Sequence, residues 1–132
     1  MQRKSKIFSQ TYLAIKIMKL YQYPNCSTCR KALKFLQENG VEFESIVITD
    51  TPPSVKELAA MLDNYDGEIK KLFNTSGVQY RELNMKETLP TLSNEQAIEL
   101  LSENGKLIKR PFLIKGKHGV VGFKEDLWQA FI

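Results

Sequence analysis

Hydrophobic and polar positions near the front of the chain change from a strand period to a helix period. Residues 17–23, IMKLYQY, alternate as a buried strand does, and Pro24–Asn25 then breaks the pattern. Asn39–Gly40 predicts the end of the following helix, because glycine adopts left-handed backbone geometry at little cost. The apolar stripe of this helix recurs at helical spacing and consists of Cys29, Ala32, Leu33 and Leu36.

A second strand and further helices are indicated beyond Gly40. Residues 41–48, VEFESIVI, follow the helix so closely that strand, helix and strand are expected to form a parallel unit with a right-handed crossover. Ser54 with Glu57, and Ser93 with Gln96, have the spacing of capping boxes at the starts of two later helices. A short helix is also expected over 68–73.

The end of the chain predicts two strands and a closing helix. Residues 110–123, RPFLIKGKHGVVGF, are typical of an antiparallel hairpin with its turn at 117–119, and residues 124–132 of a helix. The element order strand, helix, strand, several helices, strand, strand, helix predicts an α/β fold. The expected architecture is a thioredoxin-like (glutaredoxin-like) mixed four-stranded sheet with a helical insertion.

Composition supports one globular domain. The chain has 132 residues, of which 42% are hydrophobic and 26% charged, and no apolar run approaches the length of a membrane span. The net charge is +4, but four of the 19 Lys and Arg residues precede Met18, so the remainder has fifteen basic and fifteen acidic residues. This balance disfavours direct nucleic-acid binding, which needs a basic face on the folded domain.

Residues 1–17 differ from the rest of the chain. Their basic start and short apolar stretch are interrupted by Lys16, and no small-x-small cleavage pattern follows, which disfavours a signal peptide. Met18 stands where the first strand is expected to begin. We therefore expect 1–17 to be an N-terminal extension outside the native fold, or one that adds a single short element, and 18–132 to be the domain.

Cys26 and Cys29 are the only cysteines of the chain. A close pair of this kind does not make a secreted disulfide scaffold, so a reducing, cytoplasmic setting is expected. The pair could be redox-active, could contribute to a metal site, or could be a core residue beside an incidental one. A structural zinc needs about four ligands, and the only histidine, His118, is expected in a solvated turn, so a metal site is disfavoured.

The predicted position of Cys26 favours redox chemistry. It falls at the start of a helix, where free backbone N–H groups and the helix dipole stabilise an anion, and Arg30 and Lys31 add positive charge. The thiolate is the reactive form of cysteine. We therefore expect Cys26 to be the nucleophile and Cys29, one turn further along, to be the resolving thiol.

Three motifs resemble the arsenate reductase (ArsC) and Spx family of thioredoxin-fold proteins: YPNCSTCRKALKFL at 23–36, FNTSGVQYRELN at 73–84 and LIKRP at 107–111. The resemblance covers Met18 to the C-terminus. It implies that Cys26 is the nucleophile, that Arg110 faces it as the anion or thiolate partner, and that Pro111 is a cis proline beside the thiols. No bound cofactor is implied, and the expected reductant is glutathione, a glutaredoxin or a thioredoxin.

The chain also departs from the arsenate reductase pattern. Enzymes of the family hold the oxyanion with three arginines, of which only Arg110 is matched, since the other two positions align with Asn74 and Gly122. They usually carry one cysteine in the motif, whereas this chain has a partner in Cys29. The resemblance therefore implies a thiol-disulfide oxidoreductase with weak activity on arsenate itself.

The Cys-x-x-Cys motif followed by Arg-Lys-Ala looks like that of the Spx-type regulators. The resemblance to them implies a redox switch that binds the RNA polymerase α subunit, with the contact glycine falling near Gly67. The oxidoreductase is the first hypothesis, the redox-sensing regulator is the alternative, and an unrelated binding module is a third.

Overall fold

A four-stranded mixed sheet forms the centre of the computed structural model, which describes residues 17–132. The strands are β1 (Met18–Gln22), β2 (Phe43–Val47), β3 (Phe112–Lys115) and β4 (His118–Val121). The predicted extension at 1–17 lies, apart from Ile17, outside the described residues, so its separation from the domain stays a prediction.

The sheet has the strand order β2-β1-β3-β4. Strand β1 runs parallel to β2, with Met18 opposite Phe43, and antiparallel to β3, with Leu20 opposite Leu113. Strands β3 and β4 form the predicted antiparallel hairpin. The sheet is therefore of the expected thioredoxin-like type, with β1 in an interior position and its C-terminal end leading into the cysteines.

The helices connect and cover these strands. Their bounds are α1 (Ser27–Glu38), α2 (Val55–Asn64), α3 (Val78–Glu82), α4 (Met85–Thr88), α5 (Asn94–Glu103) and α6 (Glu125–Phe131). Short 3₁₀ helices occupy Ile69–Leu72, Leu89–Thr91 and Gly105–Leu107. Within residues 17–132, no helix is long and apolar enough to cross a membrane.

Two hydrophobic cores cover the two faces of the sheet, because successive strand residues point to opposite sides. Leu20 and Leu113 pack with α1 and with Trp128 of α6, whereas Tyr21 and Phe112 pack against the helical insertion. In α1 the buried residues are Cys29, Ala32, Phe35 and Leu36. Leu33 of the predicted stripe is partly buried and packs against this core, and Phe35, which the stripe omitted, is buried.

Capping in the helical insertion follows the sequence prediction. Both capping boxes are present, with Ser54 and Glu57 at α2 and Ser93 and Gln96 at α5. The expected short helix at 68–73 is the 3₁₀ helix Ile69–Leu72. Helices α3 and α4 were not predicted, because five and four residues are too few to establish a helical period.

The β3–β4 turn differs by one position from the prediction. Gly116 and Lys117 form it, with Gly116 at φ +62°, and His118 is the exposed first residue of β4 rather than a turn residue. The register explains the difference, because Lys115 pairs with His118 and leaves two residues for the turn.

Candidate active site

Cys26 is the N-cap of α1 and lies just beyond the C-terminal end of β1. Its backbone is extended, at φ −100° and ψ 114°, and its Sγ accepts a hydrogen bond from the Cys29 backbone N–H at 3.3 Å. Its own N–H donates to the Tyr23 carbonyl at 3.0 Å, which closes the Pro24–Asn25 turn. Cys26 is partly exposed, and its sulfur lies at a helix N-terminus, where an anion is stabilised.

Cys29 lies one helical turn further on and is 0% exposed. The pKa of its thiol is raised to about 12, chiefly by burial and also by the hydrogen bond to Cys26 and the negative charge on Cys26. The backbone of Tyr23 and the charge of Arg110 act in the opposite direction. The pair therefore consists of an accessible sulfur above a buried thiol that stays protonated.

Arg110 is held beside this pair by an aromatic side chain. Its guanidinium carbon lies 4.8 Å from the centroid of the Tyr23 ring, a cation–π contact, and its charge lowers the pKa of Cys29. The Arg110–Pro111 peptide is cis, as the resemblance implied. The structure thus brings Cys26, Cys29 and Arg110 together from two segments about 80 residues apart.

Arg30 supports the turn before Cys26. Its Nη1 donates to the Pro24 carbonyl oxygen at 2.9 Å, so the guanidinium is occupied with the backbone of the turn. The side chain of Lys31 is exposed. Arg30 therefore has a structural position near the site.

The positions that align with the family's other arginines offer little positive charge. Asn74 is partly buried, and its backbone N–H donates to the Leu107 carbonyl at 2.7 Å. Gly122 has φ +72°, a conformation that strains any residue with a Cβ. A Cβ there would also meet the Lys109 side chain at 3.4 Å.

Gly67, near which the resemblance to Spx-type regulators places the polymerase contact, lies in an exposed turn after α2. It has φ +79°, and a Cβ at this position would meet nothing within 4 Å. Asp66 before it also has positive φ, at 55°. The turn interpretation of this glycine is therefore correct, and its surface is free to contact a partner.

A groove of about 730 Å³ opens beside Arg110. Thr28 of α1 is part of its lining and lies one residue before Cys29 on the same helix. The cationic residues that line it are Lys70, Lys71, Lys109, Arg110 and Lys124. Of these five residues, only Arg110 lies in a motif that the sequence resemblance assigned to the site, because the lysines come from separate segments and share no motif. Tyr23 was also missed as the residue that holds Arg110.

No group of three or more His, Cys, Asp or Glu side chains that could hold a metal ion occurs among residues 17–132. His118 lies in β4 and lines a different depression, of about 620 Å³, together with the β3–β4 turn and Phe131 of α6. The structure does not place it with the cysteine pair.

Comparison with known proteins agrees with this geometry. The family model described as ArsC family matches residues 21–131. The uncharacterized protein YusI of Bacillus subtilis is 50% identical over 109 residues, which cover 83% of this chain and 92% of YusI. The global transcriptional regulator Spx of Enterococcus faecalis is 34% identical over 116 residues, which cover 88% of this chain and 86% of Spx.

A solved structure shows the same relationship. The crystal structure of a possible arsenate reductase from Streptococcus mutans is 40% identical, matches with a TM-score of 0.78, and covers 85% of this chain and 98% of that protein. The family match thus runs from β1 to α6, and the positions of both cysteines and of Arg110–Pro111 lie within its range. The chain is a member of the ArsC family, with a thioredoxin-like fold and both Spx and arsenate reductase relatives.

Proposed function

We propose that the protein is a thiol-disulfide oxidoreductase that uses Cys26 as nucleophile and Cys29 as resolving thiol. The observation that carries the proposal is the hydrogen-bonded pair at the start of α1, in which a partly exposed sulfur lies over a buried thiol. Exposure makes Cys26 the sulfur that a substrate can reach. Burial makes Cys29 accessible only to Cys26.

The reaction proceeds in two exchanges. The Cys26 thiolate attacks one sulfur of a substrate disulfide; that S–S bond breaks, a mixed disulfide forms on Cys26, and the other substrate sulfur leaves as a thiolate. Cys29 then loses its proton and attacks Cys26 Sγ, which releases the second substrate sulfur. The substrate gains two electrons, and the protein is left with a Cys26–Cys29 disulfide.

The causes of the raised Cys29 pKa explain the order of these steps. Burial is the main cause of the raised pKa of Cys29, and in the reduced protein its hydrogen bond to Cys26 and the charge of Cys26 raise that pKa as well. Both influences disappear when Cys26 enters a mixed disulfide, because a disulfide sulfur carries no charge. Cys29 then ionises more easily, and the nearby charge of Arg110 stabilises the thiolate.

An external dithiol or thiol must return the two electrons. Glutathione, a glutaredoxin or a thioredoxin are the candidate reductants, and no bound cofactor is part of the proposal. A reducing, cytoplasmic location, which the cysteine usage predicts, belongs to the same proposal.

Turnover tests the function. The full chain is mixed with bis(2-hydroxyethyl) disulfide, thioredoxin, thioredoxin reductase and NADPH, and the assay is repeated with glutaredoxin, glutathione and glutathione reductase. NADPH consumption in at least one system should be faster with this protein than with the reductant alone, and the gain should be lost in Cys26→Ser. A rate equal to that of the reductant alone in both systems would contradict the proposal.

The second candidate function is a redox-sensing regulator, which the 34% identity to Spx favours. The partner would be the RNA polymerase α subunit, and the contact would include the exposed turn at Gly67. A regulator would form the Cys26–Cys29 disulfide under oxidation without catalysing turnover.

Co-purification distinguishes the two functions. The protein is mixed with purified polymerase α subunit from the same organism, and Gly67→Arg is the test variant, with Gly40→Arg as a matched change at another exposed glycine of positive φ. Stable binding that only Gly67→Arg disrupts, together with an absence of turnover, would favour the regulator over the oxidoreductase.

A further inference from the structure

The groove beside Arg110 has more positive charge than the oxidoreductase chemistry uses. Its lining contains Lys70, Lys71, Lys109, Arg110 and Lys124, with Glu68 as the only carboxylate. Glu68 is already paired with Lys71, at 3.5 Å. The chain from Met18 onward has fifteen basic and fifteen acidic residues, so outside the groove acidic residues outnumber basic ones, fourteen to ten. The positive charge is therefore a local property of the groove.

Three of the groove's lysines, which form no ion pair among residues 17–132, are exposed and come from different elements. Lys70 belongs to the 3₁₀ helix Ile69–Leu72, Lys109 precedes the cis peptide bond, and Lys124 is the N-cap of α6. Lys109 is fixed in place through its backbone N–H, which donates to the Leu72 carbonyl at 2.8 Å. Charge repulsion between such neighbours is relieved when an anionic partner binds.

The lining of the groove is also partly apolar. Five aromatic or aliphatic side chains contribute to it: Tyr65, Phe73, Val121, Phe123 and Leu127. Leu127 is 56% exposed, although it lies in a helix whose Trp128 is fully buried. A small polar thiol would leave these apolar surfaces uncovered, whereas a peptide with leucine-like side chains would cover them.

We infer that this groove is the docking site for an acidic, leucine-containing segment of the protein whose disulfide reacts at Cys26. The inference rests on the proposed function and names its substrate class. Thr28, two residues after the N-cap Cys26, is part of the lining, so a segment bound in the groove lies beside the helix start that carries the nucleophile. The lysines select the segment by charge, and the apolar lining selects it by side-chain type.

The test uses two synthetic peptides of equal length, each with one cysteine held as a mixed disulfide with 2-thiopyridine. In one peptide, Asp, Glu and Leu flank the cysteine; in the other, Lys replaces every Asp and Glu. Cys26 attacks the peptide sulfur and releases 2-thiopyridone, whose absorbance gives the second-order rate constant. The acidic peptide should react at least about tenfold faster at low ionic strength, and the preference should shrink in high salt.

Charge reversal locates the preference. In Lys70→Glu/Lys124→Glu, the ratio of acidic to basic rate constants should fall by at least about tenfold. The matched control is Lys56→Glu/Lys86→Glu, which makes the same change in net charge at exposed residues outside the groove. An equal fall of the ratio in both variants would overturn the inference, because the effect would then reflect net charge. Thermal unfolding followed by circular dichroism checks that both variants fold.

Further outcomes separate the docking site from the function it serves. If the unmodified chain reacts rapidly with neutral 2,2′-dithiodipyridine at Cys26 but equally with both peptides, the docking inference fails and the oxidoreductase remains. If Cys26 reacts with none of the three, both fail. The chain could instead bind a 20-base-pair DNA duplex at physiological salt and lose that binding in Lys70→Glu/Lys124→Glu. This result would overturn the inference of a peptide ligand in favour of a nucleic-acid ligand.

Discussion

Cys26 and Cys29 have the same chemical group in opposite environments. Cys26 is partly exposed and accepts a backbone hydrogen bond at a helix start, whereas Cys29 is fully buried with a pKa raised to about 12. The division of roles between them follows from that contrast. It predicts how each thiol reacts with a small reagent.

Alkylation should label Cys26 well before Cys29. At pH 7 a thiol with a pKa of about 12 is ionised in roughly one molecule in 10⁵, and Cys29 is also closed to solvent. We expect iodoacetamide to modify Cys29 at least about a hundredfold more slowly than Cys26, as measured by peptide mass spectrometry over time. Cys29→Ser, which keeps the Cys26 environment, is the control and should retain the fast site. Equal rates at the two thiols would contradict the assignment.

Arsenate reduction should be weak. Arg110 is the only one of the three family arginines that is matched, and each charge-assisted hydrogen bond contributes roughly 1.5 to 3 kcal/mol, so the loss of two weakens binding by about a hundredfold or more. Arg110→Ala should remove the remaining activity, whereas Arg81→Ala, at an exposed arginine outside the groove, should not. A kcat/KM of about 10⁴ M⁻¹s⁻¹ or better for the unmodified chain would contradict this view.

The two positions without a matched arginine differ in what their backbone permits. Asn74→Arg is compatible with the backbone, but Gly122→Arg would place a side chain at φ +72°. The motif identified Cys26, Cys29 and Arg110, because each lies in a short recognisable string. It could not reveal the conformation of Gly122 or the contact of Tyr23 with Arg110, which depend on tertiary structure.

At the scale of elements, the local capping signals in the sequence predicted helix starts correctly. The capping boxes at Ser54 and Ser93 were predicted because both partners lie within one helical turn. Glu57 has a further role that no local pattern contains. Its carboxylate accepts from the Tyr21 hydroxyl at 2.8 Å and pairs with Lys19 at 3.3 Å, which connects α2 to β1.

These contacts give stability a pH dependence. Burial alone would raise the pKa of Glu57, but hydrogen bonds from the Ser54 backbone, Tyr21 and Lys19 outweigh it, and the net pKa is lowered. The stabilisation is therefore present above the carboxyl's unfolded pKa of about 4.3 and is lost as the pH falls through the lower folded value.

Replacement of Glu57 tests the direction of this pH dependence. Glu57→Gln removes the charge but keeps an acceptor for the cap, and Glu57→Ala removes both, at an expected cost of about 1 to 3 kcal/mol. Urea unfolding at pH 7 and pH 3 should show that the loss of unfolding free energy caused by Glu57→Gln is smaller at pH 3. Glu95→Gln, in the first turn of α5, is the control and should show a smaller deficit at pH 7. A loss of unfolding free energy in Glu57→Gln that grows as the pH falls would contradict this direction of the pH dependence.

At the scale of the whole molecule, the helical insertion packs closely against the backbone that follows β2 of the sheet. Gly105, in the 3₁₀ helix Gly105–Leu107, packs against the carbonyl of Ile48, the residue after β2, and a Cβ at Gly105 would overlap that oxygen. The order of strands and helices predicted the sheet topology. This close approach, and the convergence of lysines on the groove, join residues far apart in sequence and were not predictable.

Gly105→Ala should therefore destabilise the whole domain. The atom it meets is backbone and cannot rotate away, so we expect a loss of at least about 2 kcal/mol in the free energy of unfolding. Urea denaturation measures the loss, and Lys106→Ala, at the exposed neighbouring residue, is the control. A Gly105→Ala variant as stable as Lys106→Ala would show that the insertion adjusts without cost.

The central claim is that Cys26 attacks and Cys29 resolves, and a single-turnover experiment tests it most directly. The reduced full chain is mixed with one equivalent of bis(2-hydroxyethyl) disulfide, quenched with acid at intervals and analysed by mass spectrometry. We predict a mixed disulfide on Cys26 that decays into the Cys26–Cys29 disulfide, persists in Cys29→Ser and does not form in Cys26→Ser. An adduct that forms first on Cys29, or one on Cys26 that never resolves in the unmodified chain, would contradict the account.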